Sequence, residues 1–306
     1  MVYDLAIIGG GPAAVAAGVY AARKKIKTIF IAKDFGGQSV VSEDIQNWVG
    51  TVSLSGAQLA DNLKKHLEAY ADNSVDIKAG ELAEKVEKLE NGFIVKTDKR
   101  KYAAKTILMA TGSIRRKLNA PGAAEFENKG ITYCASCDGP MFSGQCVAII
   151  GGGNAGFETA SQLLAYCPSV TLLEMMDRFR ADPVTIEKVL KNLKMKALAS
   201  VKILEIKGDK FVKAIVFKNI QGEKIELPVG GIFVEIGMAP VTELVKDLVA
   251  LNPRGQIVTD PRNQRSNVAG VWAAGDCADG LYNQNNIAAG DAVKALEDIY
   301  LFLNTK

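Results

Sequence analysis

The sequence predicts an α/β protein built from two nucleotide-binding units. Residues 6–11 and 148–153 both read Ala-Ile-Ile-Gly-Gly-Gly, and in each copy an apolar strand comes before the glycines and a helical stretch after them. A strand, a glycine turn and a helix in this order begin a Rossmann-like βαβ unit, whose helix N-terminus faces a pyrophosphate. Because two copies make each match more specific, the fold class we predict is α/β with two Rossmann-like nucleotide-binding domains.

Size and composition limit the classes of function. The chain has 306 residues, of which 48% are hydrophobic and 23% charged, enough for two globular domains. The net charge of +3 comes without a dense basic block, so we expect no nucleic-acid partner. The N-terminus lacks a signal-peptide pattern, and no apolar run is long enough to span a bilayer, so we expect no membrane association and a cytoplasmic location.

The first glycine motif follows an apolar strand that ends at residue 8. Gly9 would make the turn, Gly11 would let the backbone approach a pyrophosphate, and the small Ala14 would let the helix pack closely on the strand. An acidic ribose partner is expected after the second strand, but the sequence there reads Ala32, Lys33 and Asp34, and we leave that contact open. The match therefore predicts a dinucleotide site with an unassigned ribose contact.

The stretch after the second strand contains a second set of glycines, Gly36 and Gly37, followed by Gln38. Glycines here indicate a close approach of the backbone to a ligand, and an ordinary loop is the alternative. An amphipathic helix is predicted over about 56–70, with leucines on its buried face. Residues 75–110 have the pattern of short strands, ending just before Thr111 and Gly112.

Two cysteines separated by two residues, Cys134 and Cys137, carry the redox chemistry that we predict. Such a pair can close a small disulfide ring, and the adjacent Asp138 can carry the proton that thiol-disulfide exchange must move. Zinc is an alternative, but it needs four ligands, and the sequence offers no second cysteine pair and only one histidine. We therefore predict no metal site. An inert disulfide is a further alternative, which a reducing compartment would rarely keep oxidised.

The five cysteines are divided by the same reasoning into one reactive pair and single thiols. Cys146, Cys167 and Cys277 have no neighbouring cysteine in the sequence, and single thiols in a reducing compartment usually serve as small apolar side chains. We expect all three to be buried.

The second glycine motif is complete, with Gly151, Gly153 and Gly156, and Asn154 follows directly on the turn. The next strand, over 170–173, ends at Glu174. A carboxylate at this place accepts hydrogen bonds from an adenosine ribose and repels a 2′-phosphate, so we predict NADH rather than NADPH. A solvated carboxylate at a strand end is the alternative.

The last third of the chain predicts a long helix over about 285–303. Its apolar stripe would be formed by Val293, Leu296, Ile299 and Leu303. Long linkers rich in proline or serine are absent from the sequence, so domain boundaries are expected at short hinges near 115–122 and 237–241.

With these residues in place, the chain resembles the low-molecular-weight thioredoxin reductases and the related flavoprotein subunit of alkyl hydroperoxide reductase. The resemblance runs from end to end and rests on the Gly9 motif, Gly36 to Gln38, Asn47, Ala110 to Gly112, Cys134 to Gly139, the Gly151 motif and Gly275 to Cys277. The alkyl hydroperoxide reductase subunit has an additional thioredoxin-like N-terminal region. Because the first strand begins at Tyr3, we expect this chain to lack that region and to pass its electrons to a separate protein.

The resemblance implies a discontinuous FAD domain, residues 1–113 and 241–306, with an NAD(P)H domain inserted at 114–240 that carries the cysteine pair. The residues implied to bind FAD are Gly9, Gly11, Pro12, Ala14, Gly36, Gly37, Gln38, Asn47, Thr111, Gly112, Gly275, Asp276 and Gln284. Those implied to bind the pyridine nucleotide are Gly151, Gly153, Asn154, Gly156, Glu174 and Arg180. Relatives are commonly homodimers, and we expect the same here.

The resemblance also assigns roles to the thiols. Cys137 would lie next to the flavin as the charge-transfer thiolate, Cys134 would attack the disulfide of the partner, and Asp138 would act as acid and base. Electrons would pass from NADH through FAD and this pair to a thioredoxin-like or glutaredoxin-like protein. In the family the NAD domain swings relative to the FAD domain, with which short hinges are compatible.

Two departures from the family pattern bear on the cofactors. Thioredoxin reductases typically place His-Arg-Arg where this chain has Glu174, Met175 and Met176, and only the later Arg180 remains of the set that grips a 2′-phosphate. This resembles the NADH-using subunit and makes NADPH the less expected donor. A basic residue often found before Gln284 is Asn283 here, so the negative charge of reduced flavin would rest more on the helix N-terminus.

Other functions on the same fold remain open from the sequence. The donor could be ferredoxin or another non-pyridine carrier, although the complete second glycine motif argues against it. The protein could instead oxidise a small dithiol with oxygen as acceptor. A non-enzymatic flavin-binding redox sensor is a further alternative, for which two nucleotide sites and an adjacent acid are more than is needed.

Overall fold

The computed structural model of the protein describes residues 1–42 and 44–305, and for Cys137 it describes the backbone only. The strands are β1 (Val2–Ile8), β2 (Thr28–Ala32), β3 (Val75–Ala79), β4 (Ala83–Leu89), β5 (Gly92–Thr97), β6 (Lys101–Met109), β7 (Ser113–Arg115), β8 (Ile131–Thr132), β9 (Val147–Ile150), β10 (Val170–Leu173), β11 (Met195–Leu198), β12 (Lys202–Gly208), β13 (Val212–Lys218), β14 (Lys224–Pro228), β15 (Gly231–Val234), β16 (Met238–Pro240) and β17 (Val271–Ala273). The α-helices are α1 (Pro12–Arg23), α2 (Gly56–Ala71), α3 (Ala135–Asp138), α4 (Asn154–Leu163), α5 (Pro183–Leu190) and α6 (Asn285–Asn304).

The chain divides into two compact units. Unit 1 consists of Met1–Ile114 and the segment from Ala239 onward, and unit 2 is Arg115–Met238. The chain passes from one unit to the other in the short strands β7 and β16, which pair with each other. The first unit is therefore discontinuous in sequence.

The described residues of unit 1 form a seven-stranded sheet with the order β3-β2-β1-β6-β5-β4, and β17 also pairs with β6. The strands β1, β2, β3, β6 and β17 run parallel, so their carboxyl ends share one edge of the sheet. The inner strands are apolar on both faces because helices cover one face and the segment around 241–257 covers the other.

The predicted amphipathic helix of unit 1 is confirmed as α2. Its leucines Leu59, Leu63 and Leu67 are all buried. A capping box fixes its start: the Ser55 hydroxyl accepts from the Gln58 amide, and the Gln58 side chain accepts from the Ser55 amide.

The predicted C-terminal helix is confirmed as α6, although its buried face differs in part from the predicted stripe. Leu296 and Ile299 are fully buried, but Val293 and Leu303 are only partly buried, and Ala288, Ala292 and Ala295 complete the buried face instead. These small residues let α6 pack closely against α1. The helix is also held by Asp298, which accepts hydrogen bonds from the Trp272 indole at 2.8 Å and from the Arg265 guanidinium.

In unit 2, the described residues form a five-stranded parallel sheet with the order β11-β10-β9-β15-β8. A separate antiparallel sheet, β12-β13-β14, covers part of it. Phe157 of α4 and Phe233 of β15 are fully buried in one of its cores. Both units therefore have the parallel sheet and covering helices that the sequence predicts, and the fold class is confirmed.

The prediction for the single thiols is wrong at one position. Cys167 and Cys277 are buried, but Cys146 is exposed. Cys146 immediately precedes β9, where the chain enters the sheet from a surface turn, so its side chain lies before the covered part of the strand.

In the described part of the chain, no helix combines the length and the apolar character needed to cross a bilayer.

Candidate functional site

A cleft of about 1250 Å³ lies in unit 1 at the carboxyl ends of the parallel strands. This volume is above the roughly 300–1,000 Å³ of pockets for drug-sized ligands, as an extended dinucleotide requires. The predicted FAD-binding residues that line it are Gly9, Gly11, Pro12, Gly37, Gln38, Asn47, Thr111, Gly112, Gly275, Asp276 and Gln284. Residues from distant parts of the sequence are thus brought to one cleft.

Ala14 and Gly36 do not line this cleft. Ala14 is fully buried within α1, which agrees with a packing role. The Gly36 amide donates to the Gly10 carbonyl at 2.8 Å, and its φ of +93° is one that glycine adopts readily. Gly36 therefore shapes the turn behind the cleft.

The glycine turn of unit 1 fits a pyrophosphate. Gly9 has a φ of +135°, and a Cβ atom there would lie 2.0 Å from the Ala110 carbonyl oxygen, so a side chain cannot be accommodated. A Cβ on Gly11 would meet only the Cα of Gly37, at 3.8 Å, which leaves bare backbone facing the cleft. Helix α1 starts at Pro12 with no side-chain cap, and its first amides are left for an anionic ligand.

The polar side chains of the cleft are connected by hydrogen bonds. Gln38 Nε2 donates to the Ser113 carbonyl at 2.7 Å, and Ser113 Oγ donates to Asp276 Oδ2 at 2.9 Å. On another side, Asn47 Nδ2 donates to Gln284 Oε1 at 3.0 Å. Ser113 was missed by the sequence analysis, although its place directly after Thr111 and Gly112 was a usable signal.

The two glycine turns differ in their ribose partner. In unit 2 Ile150 is paired with Leu173, and Glu174 follows; in unit 1 the equivalent pair is Ile8 and Ile31. The residue after Ile31 is the buried Ala32, so unit 1 has a methyl group where unit 2 has a carboxylate. The ribose partner that the sequence left unassigned in unit 1 is therefore not an acidic residue at this position.

The glycine turn of unit 2 repeats the geometry of the first. A Cβ on Gly151, whose φ is +116°, would lie 2.2 Å from the Glu235 carbonyl oxygen, and one on Gly156 would lie 1.9 Å from the Gly151 carbonyl oxygen. Around Gly153 there is open space, and α4 begins there without a side-chain cap. The turn thus fits a second pyrophosphate.

Glu174 is held against this turn by backbone amides. Its Oε2 accepts from the Gly152 amide at 2.6 Å, and its Oε1 accepts from the Met176 amide at 2.7 Å. The Arg180 amide donates to the Gly152 carbonyl at 2.8 Å, and Asn154 Oδ1 accepts from the Asp182 amide at 2.8 Å. The predicted nucleotide residues of unit 2 therefore lie together, with the carboxylate in a fixed orientation.

Glu235 is a largely buried carboxyl group at the end of β15 that the sequence analysis did not identify. Thr159 Oγ1 donates to its Oε1 at 2.8 Å, and the Arg115 guanidinium lies 3.8 Å from the same oxygen. Burial raises the pKa of Glu235, and Glu158 adds to the rise, whereas the Thr159 hydroxyl and Arg115 oppose it. Neutralisation of this group is therefore coupled to the folding of unit 2.

We predict that Glu235→Gln changes the pH dependence of stability. Because the pKa of Glu235 is higher in the folded protein than in the unfolded chain, the protonated form stabilises the fold at low pH, and this contribution is lost as the pH rises through the folded pKa. The Gln variant has no such loss, so its melting temperature relative to the wild type should increase between about pH 4 and about pH 8. The exposed Glu187→Gln is the control, and a constant difference across that range would contradict the prediction.

The thiol motif lies in unit 2, directly after β8. Cys134 is half-buried and disulfide-bonded, and α3 forms a single turn from Ala135 to Asp138. The Asp138 amide donates to the Cys134 carbonyl at 3.0 Å, and the Asp138 carboxyl group accepts a hydrogen bond from Thr132 Oγ1. The predicted role of Cys137 concerns its side chain, which lies outside the described residues. The acid and Cys134 are thus neighbours across one helical turn.

Among the side chains that the structure describes, no cluster of three or more His, Cys, Asp and Glu residues could hold a metal ion.

Comparisons with known proteins agree on one family. The family of pyridine nucleotide-disulphide oxidoreductases matches residues 3–292. An alkyl hydroperoxide reductase subunit of Xanthomonas campestris pv. phaseoli is 39% identical over 305 residues, covering 96% of this chain and 56% of that protein. NADH dehydrogenase of Bacillus subtilis (strain 168) is 36% identical over 298 residues, covering 96% and 57%. The chain thus spans a little more than half the length of these curated relatives.

Solved structures match over nearly their full length. Thioredoxin reductase of Lactococcus lactis in its FR conformation has a TM-score of 0.85 and 34% identity, covering 98% of this chain and 99% of that one. Thioredoxin reductase of T. acidophilum has a TM-score of 0.81 and 33% identity, with 98% of each chain covered. The similarity therefore includes both units.

Proposed function

The chain belongs to the pyridine nucleotide-disulphide oxidoreductase family, whose members use FAD and NAD(P)H, and from this we propose that it is an NADH-dependent flavin disulfide reductase. It would deliver electrons through Cys134 and Cys137 to a thioredoxin-like or glutaredoxin-like protein. The proposal rests on three features of the chain. Each unit has a glycine turn followed by a helix with no side-chain cap, and Cys134 and Asp138 lie on one helical turn. FAD, when bound, relays an electron pair between a pyridine nucleotide and a disulfide.

Each unit has a defined part in this proposal. The cleft of unit 1 would hold FAD, with the pyrophosphate at the bare backbone of Gly11 and Gly37 and the flavin near the uncapped N-terminus of α6. The positive end of that helix would favour a negative charge there, which suits a chain that has Asn283 and no basic residue before Gln284. Unit 2 would hold NADH at Gly151, Gly153 and Gly156.

The preference for NADH is supported by Glu174. Its carboxylate is fixed by two backbone amides, and each oxygen retains a lone pair for a ribose hydroxyl. A 2′-phosphate at the same place would meet a negative charge, and the following residues, Met175 and Met176, offer no cation. The name NADH dehydrogenase, given to the Bacillus subtilis relative, points to the same nucleotide.

We predict that Glu174→Ala lowers kcat/KM for NADH about tenfold to a hundredfold, the loss expected when a hydrogen bond to a charged group is removed. The value for NADPH should not fall, because its phosphate loses a repulsive neighbour. Anaerobic stopped-flow measurement of flavin reduction by each nucleotide provides both numbers. Glu187→Ala, an exposed change in the same unit, is the control. A variant that keeps the full preference for NADH would contradict the assignment.

The proposed function is tested on the wild-type protein in two stages. Purified protein should be yellow, and under anaerobic conditions NADH should bleach it much faster than NADPH. The NADH-reduced protein should then reduce one member of a panel of thioredoxin-like and glutaredoxin-like disulfide proteins. Failure of both nucleotides to bleach the flavin would instead favour another electron donor, and peroxide formation without any protein partner would favour a dithiol oxidase.

A further inference from the structure

Thr132 is a buried polar residue next to the thiol motif to which the sequence analysis gave no role. It is the last residue of β8, where its backbone is fixed by pairing with Phe233 of β15. Its hydroxyl group therefore has a fixed origin in the parallel sheet of unit 2, two residues before Cys134.

The Thr132 hydroxyl connects Cys134, which directly precedes α3, with Asp138, the last residue of α3. It donates to Asp138 Oδ2 and accepts from the Cys134 amide at 3.4 Å. A hydroxyl has one donor and two acceptor sites, so both bonds form at once. The Asp138 side chain starts from a single helical turn, and the bond to Thr132 fixes the orientation of its carboxyl group.

We propose that Thr132 is a positioning residue, which holds the Asp138 carboxyl group where it can protonate the sulfur that leaves during disulfide exchange. The proposal rests on the proposed function of the Cys134 and Cys137 pair, and it adds a residue that acts through Asp138. Thr132 itself touches no reacting atom. Its contribution lies in orientation, which is worth a large factor when a proton must reach one particular atom.

The reaction concerned is the oxidation of the protein dithiol by a disulfide. A protein thiol passes its proton to Asp138 and attacks one sulfur of the substrate as a thiolate; the substrate S–S bond breaks, and the departing sulfur takes the electron pair and this proton from Asp138. The second protein thiol passes its proton to Asp138 in turn and attacks the protein sulfur of the mixed disulfide, and the remaining half of the substrate takes the electron pair and this proton and leaves as a thiol. In balance, one dithiol becomes a disulfide and one disulfide becomes two thiols.

The test uses two small disulfides that differ in their need for a proton donor. The full-length protein is reduced with dithiothreitol, the excess is removed, and oxidation by bis(2-hydroxyethyl) disulfide or by Ellman's reagent is followed by stopped flow. The first releases a basic thiolate that needs a proton, whereas the second releases a weakly basic thiolate that leaves without one. We expect Thr132→Val to slow the first reaction about tenfold and to leave the second within about twofold. Thr132→Ser, which keeps the hydroxyl group, should match the wild type with both reagents.

A double-mutant comparison separates positioning from a general structural effect. If Thr132 acts through Asp138, Thr132→Val should cause no further loss in an Asp138→Asn background. Equal slowing with both reagents, an additive loss in the double variant, or a wild-type rate in Thr132→Val would each overturn the proposal. No nucleotide or protein partner takes part in these measurements, so failure of the NADH-driven reaction would be seen separately.

Discussion

Cys134→Ser is expected to abolish reduction of protein disulfides, by at least about a thousandfold, because a hydroxyl group neither forms a disulfide nor attacks one at neutral pH. Reduction of the flavin by NADH should persist at the wild-type rate, because that step uses the nucleotide sites and not the sulfur of Cys134. Stopped-flow bleaching and steady-state turnover with a disulfide protein measure the two steps separately. The variant thus separates flavin reduction by NADH from the transfer of electrons through the thiols to the disulfide protein.

The chain provides a matched control for this experiment. Cys146 is a free, exposed cysteine in the same unit, outside the thiol motif. Cys146→Ser should leave turnover unchanged, which would exclude a general effect of removing an accessible thiol. Normal turnover in Cys134→Ser would contradict the proposed electron path. Loss of flavin bleaching in that variant would mean that Cys134 is needed already for the reduction of the flavin by NADH.

Gly153→Val is expected to block NADH while leaving the fold intact. The backbone of Gly153 does not have a positive φ, and a Cβ atom there would meet nothing within 4 Å, so the folded protein has room for a side chain. That room is where the uncapped N-terminus of α4 would receive the pyrophosphate. Since displacing a reactant by about 1 Å can cost about a hundredfold in rate, we expect flavin reduction by NADH to slow by at least that factor.

Two comparisons make the result for Gly153 interpretable. Gly290→Val places the same side chain in open space on α6 in unit 1, and it should not affect reduction by NADH. Dithionite, which does not require the nucleotide site, should reduce the flavin of Gly153→Val as fast as that of the wild type. A variant that retains the wild-type response to NADH would show that the pyrophosphate does not bind at this turn.

The strand-turn-helix pattern could be predicted from the sequence because it is local. Gly9 and Gly151 each make their turn within a few residues of the strand they follow, and both have the positive φ that the motif requires. Leu59, Leu63 and Leu67 predicted the buried face of α2 for the same reason, since helical periodicity lies within one segment. The functional boundaries of the domains and the roles of the individual site residues stay predictions.

The contacts that complete the sites could not be predicted, because they join residues that are far apart in the sequence. Ser113 bonds Asp276 across a separation of 163 residues, and Thr159 bonds Glu235 across 76. The prediction that Cys146 is buried was wrong for a related reason, because its exposure depends on which elements cover the start of β9. Thr132 is near Cys134 in sequence, but only the hydrogen bond from Thr132 Oγ1 to Asp138 Oδ2 shows that its hydroxyl faces this acid.

The sequence by itself determined the fold class, the two glycine turns, the thiol pair with its neighbouring acid, and a carboxylate at the end of one strand. Each of these depends on residue types at short spacings, where the backbone geometry is set by local sterics and hydrogen bonding. The tertiary structure alone decided that Ala32 takes the place of an acid in unit 1, that Glu174 is fixed by two amides, and that the Thr132 hydroxyl donates to Asp138. Such facts follow from packing and register between distant strands, which no local pattern specifies.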